Sequence, residues 1–147
     1  MIRKICTIAL LSLIAAACDE KLSDVAGPTP NLTPTFSSIQ RDIFSAPDSS
    51  GRVACTGCHN AQNARFAANL NLADESSYGQ LVNIASSNKP GAIRVIPGDP
   101  ENSYLIHKVE GRPGIVGQRM PRTNGPFLTD GQISIIKRWI EEGALNN

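Results

Sequence analysis

Residues 53–60 of the chain read VACTGCHN and bring Cys55, Cys58 and His59 together in a C-x-x-C-H arrangement. Two thiols three residues apart lie about one helical turn apart, so both sulfurs can reach one rigid ligand. Four chemistries compete for this pattern: a zinc site, a thiol redox pair, a disulfide, and covalent attachment of a c-type haem. Zinc can draw on Cys55, Cys58, His59 and His107. However, the adjacent Cys58 and His59 strain to share one tetrahedral ion, and the usual second ligand pair is missing. A thiol redox pair expects a βαβ context, and no such pattern is visible. A disulfide fits an oxidising compartment but leaves His59 unassigned. Haem uses all three residues. Cys55 and Cys58 become thioethers to the two vinyl groups, and His59 supplies the proximal nitrogen. Thr56 and Gly57 between them are small enough to keep the turn close to the ring edge.

An electron-carrying haem iron needs a sixth ligand. The sequence has two methionines, Met1 and Met120. Met120 sits in RPGIVGQRMPRTNGP, residues 112–126, a stretch so rich in glycine and proline that it reads as a loop. Its neighbours are Gln118, Arg119 and Pro121, with no apolar period of the kind that marks a core methionine. Met120 is therefore the expected distal ligand. His107, on an expected helix after Tyr104, Leu105 and Ile106, is the alternative. The choice matters, because a Met/His pair raises the reduction potential relative to two histidines.

The N-terminus has a different character. In MIRKICTIALLSLIAAAC, Arg3 and Lys4 precede an apolar run from Ile5 to Ala17, which is the pattern of a secretory signal. The run is shorter than the roughly 20 apolar residues of a membrane span. Ala15-Ala16-Ala17-Cys18 resembles a bacterial lipobox, although Ala15 stands where a larger aliphatic residue is usual. Residues 1–17 are thus expected to be a lipoprotein signal peptide and Cys18 the lipidated first residue. The following Asp19 resembles an inner-membrane retention signal, so the inner membrane is slightly favoured over the outer. Removing residues 1–17 takes away two of the 14 Lys and Arg and none of the 13 Asp and Glu, turning the formal charge from +1 to −1. No basic surface then remains to hold the domain on lipid, and an acyl anchor has to do so. The same balance excludes the basic stripe of a nucleic-acid binder. Residues 18–35, polar and proline-rich, read as a lipid-anchored flexible tether.

The remaining 36–147 is long enough for one domain with its own core. SSIQRDIFS reads as a short helix capped by Ser37 or Ser38, with Ile39, Ile43 and Phe44 on one face. APDSSGR reads as a loop. DESSYGQLVNIAS reads as a second helix. In PGDPENSYLIHKVEGRPG, Asp99 is the expected N-cap, Pro100 the first helical residue and Gly111 the stop. Thr129 and Gln132 have capping-box spacing, and Ile133, Ile136 and Ile140 form a stripe with Ile135 and Trp139 beside it. No strand alternation is present, so the fold class is all-α.

With IF ahead of the motif, CTGCH, YGQLVN, VIPGDPENSYLIHKVEG, RMP and the closing IIKRWIEEGA, residues 36–147 resemble the class I c-type cytochromes, and within them the planctomycete-type cytochrome c domains. The resemblance implies short helices wrapped round one covalent haem c, with crossed first and last helices and His59/Met120 axial ligation. Residues 38–45 would then cross residues 130–142, with Ile43 or Phe44 meeting Trp139 or Ile136. It also implies a periplasmic one-electron carrier rather than an enzyme, exchanging electrons with a redox-protein donor and acceptor. The alternatives are an electron-input haem subunit of a larger oxidoreductase and a haem-based sensor. Leu70, Leu72, Leu81, Ile96, Leu105 and Phe127 are the expected apolar shield of the ring, and Arg94, Arg119 and Tyr104 the candidate partners of its propionates.

Overall fold

The computed structural model describes residues 31–147, which are helical, with no strand among them. The expected signal peptide, the lipidation site Cys18 and most of the expected tether lie outside the described residues. Where residues 31–35 enter the described structure they touch the domain. Leu32 packs against the core, and the Thr35 hydroxyl accepts from the Ser38 amide at 3.3 Å.

Thr35 is therefore the N-cap of the first helix, α1 (Phe36–Ile39), one turn ahead of the expected Ser37 or Ser38. Helix α1 runs directly into a wide π-helical turn, Gln40–Phe44, closed by the Ser45 amide on the Gln40 carbonyl at 2.8 Å. Gln40 is buried and needs partners there. Its Nε2 donates to the Leu72 carbonyl (2.9 Å) and to Asp74 (2.8 Å), and its Oε1 accepts from Ser77. These bonds fasten the π turn to the start of α2 (Asp74–Leu81).

Helix α2 ends at Leu81, five residues before the expected Ser86. Val82 turns extended, and residues 82–85 pair with residues 93–95 through isolated bridges, Val82 with Val95 and Ala85 with Ile93. Backbone groups that the helix would have used are satisfied across this pairing instead. Helix α3 (Tyr104–Glu110) also starts later than expected, with Ser103 and not Asp99 as its N-cap. Asp99 caps a turn of its own, accepting from the Asn102 amide at 3.1 Å. Gly111 ends α3 in the left-handed region at φ 75°, as expected.

Helix α4 (Asp130–Glu141) carries the expected reciprocal capping box of Thr129 and Gln132. Its Ile133, Ile136, Trp139 and Ile140 are buried, and Ile135 is half-buried. Each such side chain contributes about 1.5–3 kcal/mol through burial. The first and last helices do pack together, and Ile43, Phe44, Ile136 and Trp139 belong to one buried core. Phe36 also meets the indole of Trp139, with ring centroids 5.4 Å apart, and Tyr78 stands edge-on to Phe36 at 5.1 Å. Ile43 and Phe44 also line the cavity described next.

Candidate cofactor site

The motif folds into one tight turn. Cys55–Gly57 form a 3-10 turn, and the Cys55 carbonyl accepts from both the Cys58 amide (3.2 Å) and the His59 amide (2.8 Å). Asn60, which the sequence did not mark, locks the turn by donating its side-chain amide to the Thr56 carbonyl at 2.9 Å. The His59 carbonyl accepts from the Leu72 amide at 2.9 Å, tying the motif to the segment that leads into α2. Cys55 is half-buried against the core, Cys58 is exposed, and the two are not joined in a disulfide.

A second unmarked element supports the motif from behind. In the loop read only as APDSSGR, Arg52 is 1% exposed. Its guanidinium pairs with Asp48 at 2.9 Å and donates to the carbonyls of Ile43, Ala46 and Val53. The Ile43 carbonyl also takes the Cys55 thiol, at 3.5 Å. The end of the π turn, the loop and the first cysteine are thus held by one buried cation. Burial in turn pushes the Cys55 thiol pKa up.

Beside the motif lies a cavity of about 810 Å³, within the roughly 300–1,000 Å³ range of cofactor sites. Cys55, Cys58, His59 and Met120 all line it, so the loop 112–126 delivers its methionine to the same space as the cysteine motif. Leu70, Leu72, Leu81 and Leu105 line it as expected. Ile96 and Phe127 do not, and Ile43, Phe44, Val109 and Leu128 take their share. His107 is not on the wall; its Nε2 lies 2.7 Å from the Glu101 carbonyl, on the outer side of α3. That removes His107 both from the cavity and from any tetrahedral set with Cys55, Cys58 and His59. Among the described residues no three His, Cys, Asp or Glu side chains are grouped to hold a metal ion.

The Nδ1 atom of His59 is buried and has no hydrogen-bond partner. Burial holds the ring's pKa below its ordinary value. The Leu70 and Ala67 backbone groups act in the other direction without reaching hydrogen-bond geometry, and the charges of Arg94 and Lys108 add to the burial effect. The imidazole is therefore kept neutral, the form that ligates metal.

The cavity wall carries Arg52, Arg94, Lys108 and Arg122 and no carboxylate. Arg52 is committed to Asp48. Arg94 is 6% exposed and donates to the carbonyls of Gln80 (2.7 Å) and Ala68 (2.8 Å) and to Ser87 (3.2 Å). Of the three propionate candidates, Arg94 and Tyr104 are on the wall. Arg119 is not; it lies over the Phe127 ring at 4.2 Å and donates to the Val109 carbonyl. Sequence reading missed Lys108, on α3, and Arg122, within the methionine loop. The wall also holds three of the large apolar side chains left exposed, Val53, Val116 and Phe66, the last 72% exposed.

Comparisons with protein-family models, with curated proteins and with solved structures find no match to this chain.

Proposed function

We propose that this chain is a mono-haem c-type cytochrome of the class I fold, acting as a one-electron carrier between redox-protein partners. The observation that carries the reading is that the Cys55, Cys58 and His59 motif and Met120, far from it in sequence, share the wall of one largely apolar cavity. The donor set suits the group. It offers two free thiols on one turn, a half-buried imidazole whose buried Nδ1 is unpaired, and a thioether from a separate loop. Apolar side chains such as Phe66 and Val116 would be covered by a flat aromatic macrocycle, and a wall with cations and no carboxylate suits a cofactor bearing two acidic side chains.

When bound, haem supplies a reversible one-electron couple. The protein's part is to bind, orient and insulate. Cys55 and Cys58 would hold the porphyrin through thioether bonds. His59 and Met120 would both be taken up as ligands of the iron, which suits a carrier rather than a catalyst. Leu70, Leu72, Leu81 and Leu105 exclude water and lower the local dielectric. The basic, apolar N-terminal segment ending in Ala-Ala-Ala-Cys18 supports a lipid-anchored location on the periplasmic side of a bacterial membrane.

Intact mass of the processed protein and a pyridine haemochrome spectrum test this reading together. One covalently added tetrapyrrole is expected, and a colourless product with two alkylatable thiols would overturn it.

A further inference from the structure

Helix α3 and the methionine loop are joined at several points, and Lys108 makes more of them than any other residue. The Lys108 carbonyl accepts the backbone amide of Met120 itself at 2.8 Å. The Lys108 ammonium donates to the loop carbonyls of Val116 (2.8 Å) and Gln118 (2.6 Å). Its side chain also forms part of the cavity wall. Around it, the Tyr104 hydroxyl accepts from the Val116 amide at 2.9 Å, and Arg119 reaches back to the Val109 carbonyl at 2.7 Å.

The loop has no regular structure of its own to hold it. Residues 112–126 form no helix, and Gly114, Val116, Gly117 and Gln118 are exposed. A thioether sulfur is a weak, uncharged ligand, so its presence at a metal depends on a backbone that already points it there. Ammonium-to-carbonyl bonds are charge-assisted and stronger than neutral ones, and here one ammonium bridges two carbonyls within four residues of Met120.

We infer that Lys108 is the positioning residue for Met120: its ammonium clamps the carbonyls of Val116 and Gln118 so that the methionine sulfur stays directed into the cavity beside His59. This rests on the haem reading above. Lys108 does not itself bind the iron; it acts through the loop backbone.

The test uses the haem-loaded protein and two optical readouts, the weak far-red sulfur-to-iron band of the oxidised form and carbon monoxide binding by the reduced form. Lys108→Met keeps the stem and removes the donors; the band is expected to be lost and carbon monoxide to bind. Lys108→Arg keeps a cation with donors for both carbonyls and is expected to restore the band. Lys89→Met removes a cation from the same loop's outer end, where Lys89 donates to the Gly114 carbonyl, and should leave both readouts unchanged. A folded Lys108→Met protein with the full band overturns the inference, as does a folded Lys108→Arg protein without it. Should Lys108→Met not accumulate in folded form, Lys108→Gln replaces it; a weakened band is expected, and an undiminished band is equally fatal. Met120→Ala run in parallel separates the two levels. If Met120→Ala keeps the band, the axial-ligand reading has failed; if it loses the band while Lys108→Met keeps it, only the clamp has failed.

Discussion

Arg52 Nε meets Asp48 Oδ2 at 2.9 Å, with the arginine side chain wholly buried and the aspartate side chain 5% exposed. Arg52 stands three residues before Cys55, and the pair fixes the loop on which the cysteine motif is mounted. Removing one partner of a buried pair leaves the other as an uncompensated charge, which costs about 3–5 kcal/mol. Asp48→Asn and Arg52→Met are each expected to lower unfolding free energy by about that amount in urea titrations, whereas the double variant recovers part of the loss. Single variants within about 0.5 kcal/mol of the parent would show that the pair is not holding the loop.

The same pair sets a pH dependence. Burial pushes the Asp48 carboxyl up, but hydrogen bonds from Ser50 and Arg52 and the arginine's charge outweigh it, and the net pKa is lowered. A group depressed in the folded state contributes stability that is fully present above its unfolded value, about 3.9, and lost as pH falls through the lower folded value. The stability gap between the parent and Asp48→Asn should therefore be full at neutral pH and shrink as the carboxylate becomes protonated below pH 4. A gap that stays constant down to pH 2 would remove Asp48 from the acid response.

Met120→Ala deletes the thioether and leaves His59 in place. On the proposed haem ligation the far-red sulfur-to-iron band is expected to vanish, the reduced protein to bind carbon monoxide, and the reduction potential to fall, because a thioether ligand favours the ferrous state. An unaltered absorption spectrum would take Met120 off the iron and reopen the question of the sixth ligand.

The features legible in the sequence were those that depend on near neighbours. The capping box of Thr129 and Gln132 is a four-residue event, and the stripe on α4 follows from helical periodicity; both stand in the structure. Met120 was marked by its scarcity and by the loop around it. What escaped notice depends on residues meeting across the fold. Asp48 and Arg52 look like loop polars until Ile43, Ala46 and Val53 offer their carbonyls. Asp99 has the composition of a helix cap, but Ser103 takes that place because Asp99 closes a turn with Asn102. Arg119 and Arg94 looked equivalent as cations near the site, yet one stacks on Phe127 and the other reaches the wall. The Phe36–Trp139 ring contact went unread because it joins residues about a hundred positions apart.

Cys18→Ser tests the anchoring proposal. A serine cannot take a thioether-linked lipid, and the mature side chains carry no net positive charge to hold the domain on anionic headgroups. The variant is expected to move from the membrane fraction to the soluble periplasmic fraction with its haem spectrum unchanged. Retention in the membrane fraction would require another means of attachment.

Gly111 links backbone geometry to the methionine loop. Its φ of 75° lies in the left-handed region, and a Cβ built there would come within 2.9 Å of Arg119 Cδ and 3.2 Å of Arg119 Cβ. Gly111→Ala therefore meets two obstacles, a left-handed conformation that costs an L-residue roughly 1–2 kcal/mol and a clash that reaches the near end of the Arg119 side chain. Swinging the guanidinium alone leaves the tight approach at Arg119 Cβ, which asks Arg119 itself to give by a few tenths of an ångström. Met120 is the next residue. The expected result is a loss of about 1–2 kcal/mol in unfolding free energy, together with a sulfur-to-iron band that fades at lower temperature than in the parent, before the helices melt. Loss of stability with an unchanged band would mean that the loop relaxes at Arg119 without moving Met120, and that the close approach at Gly111 serves the helix terminus only.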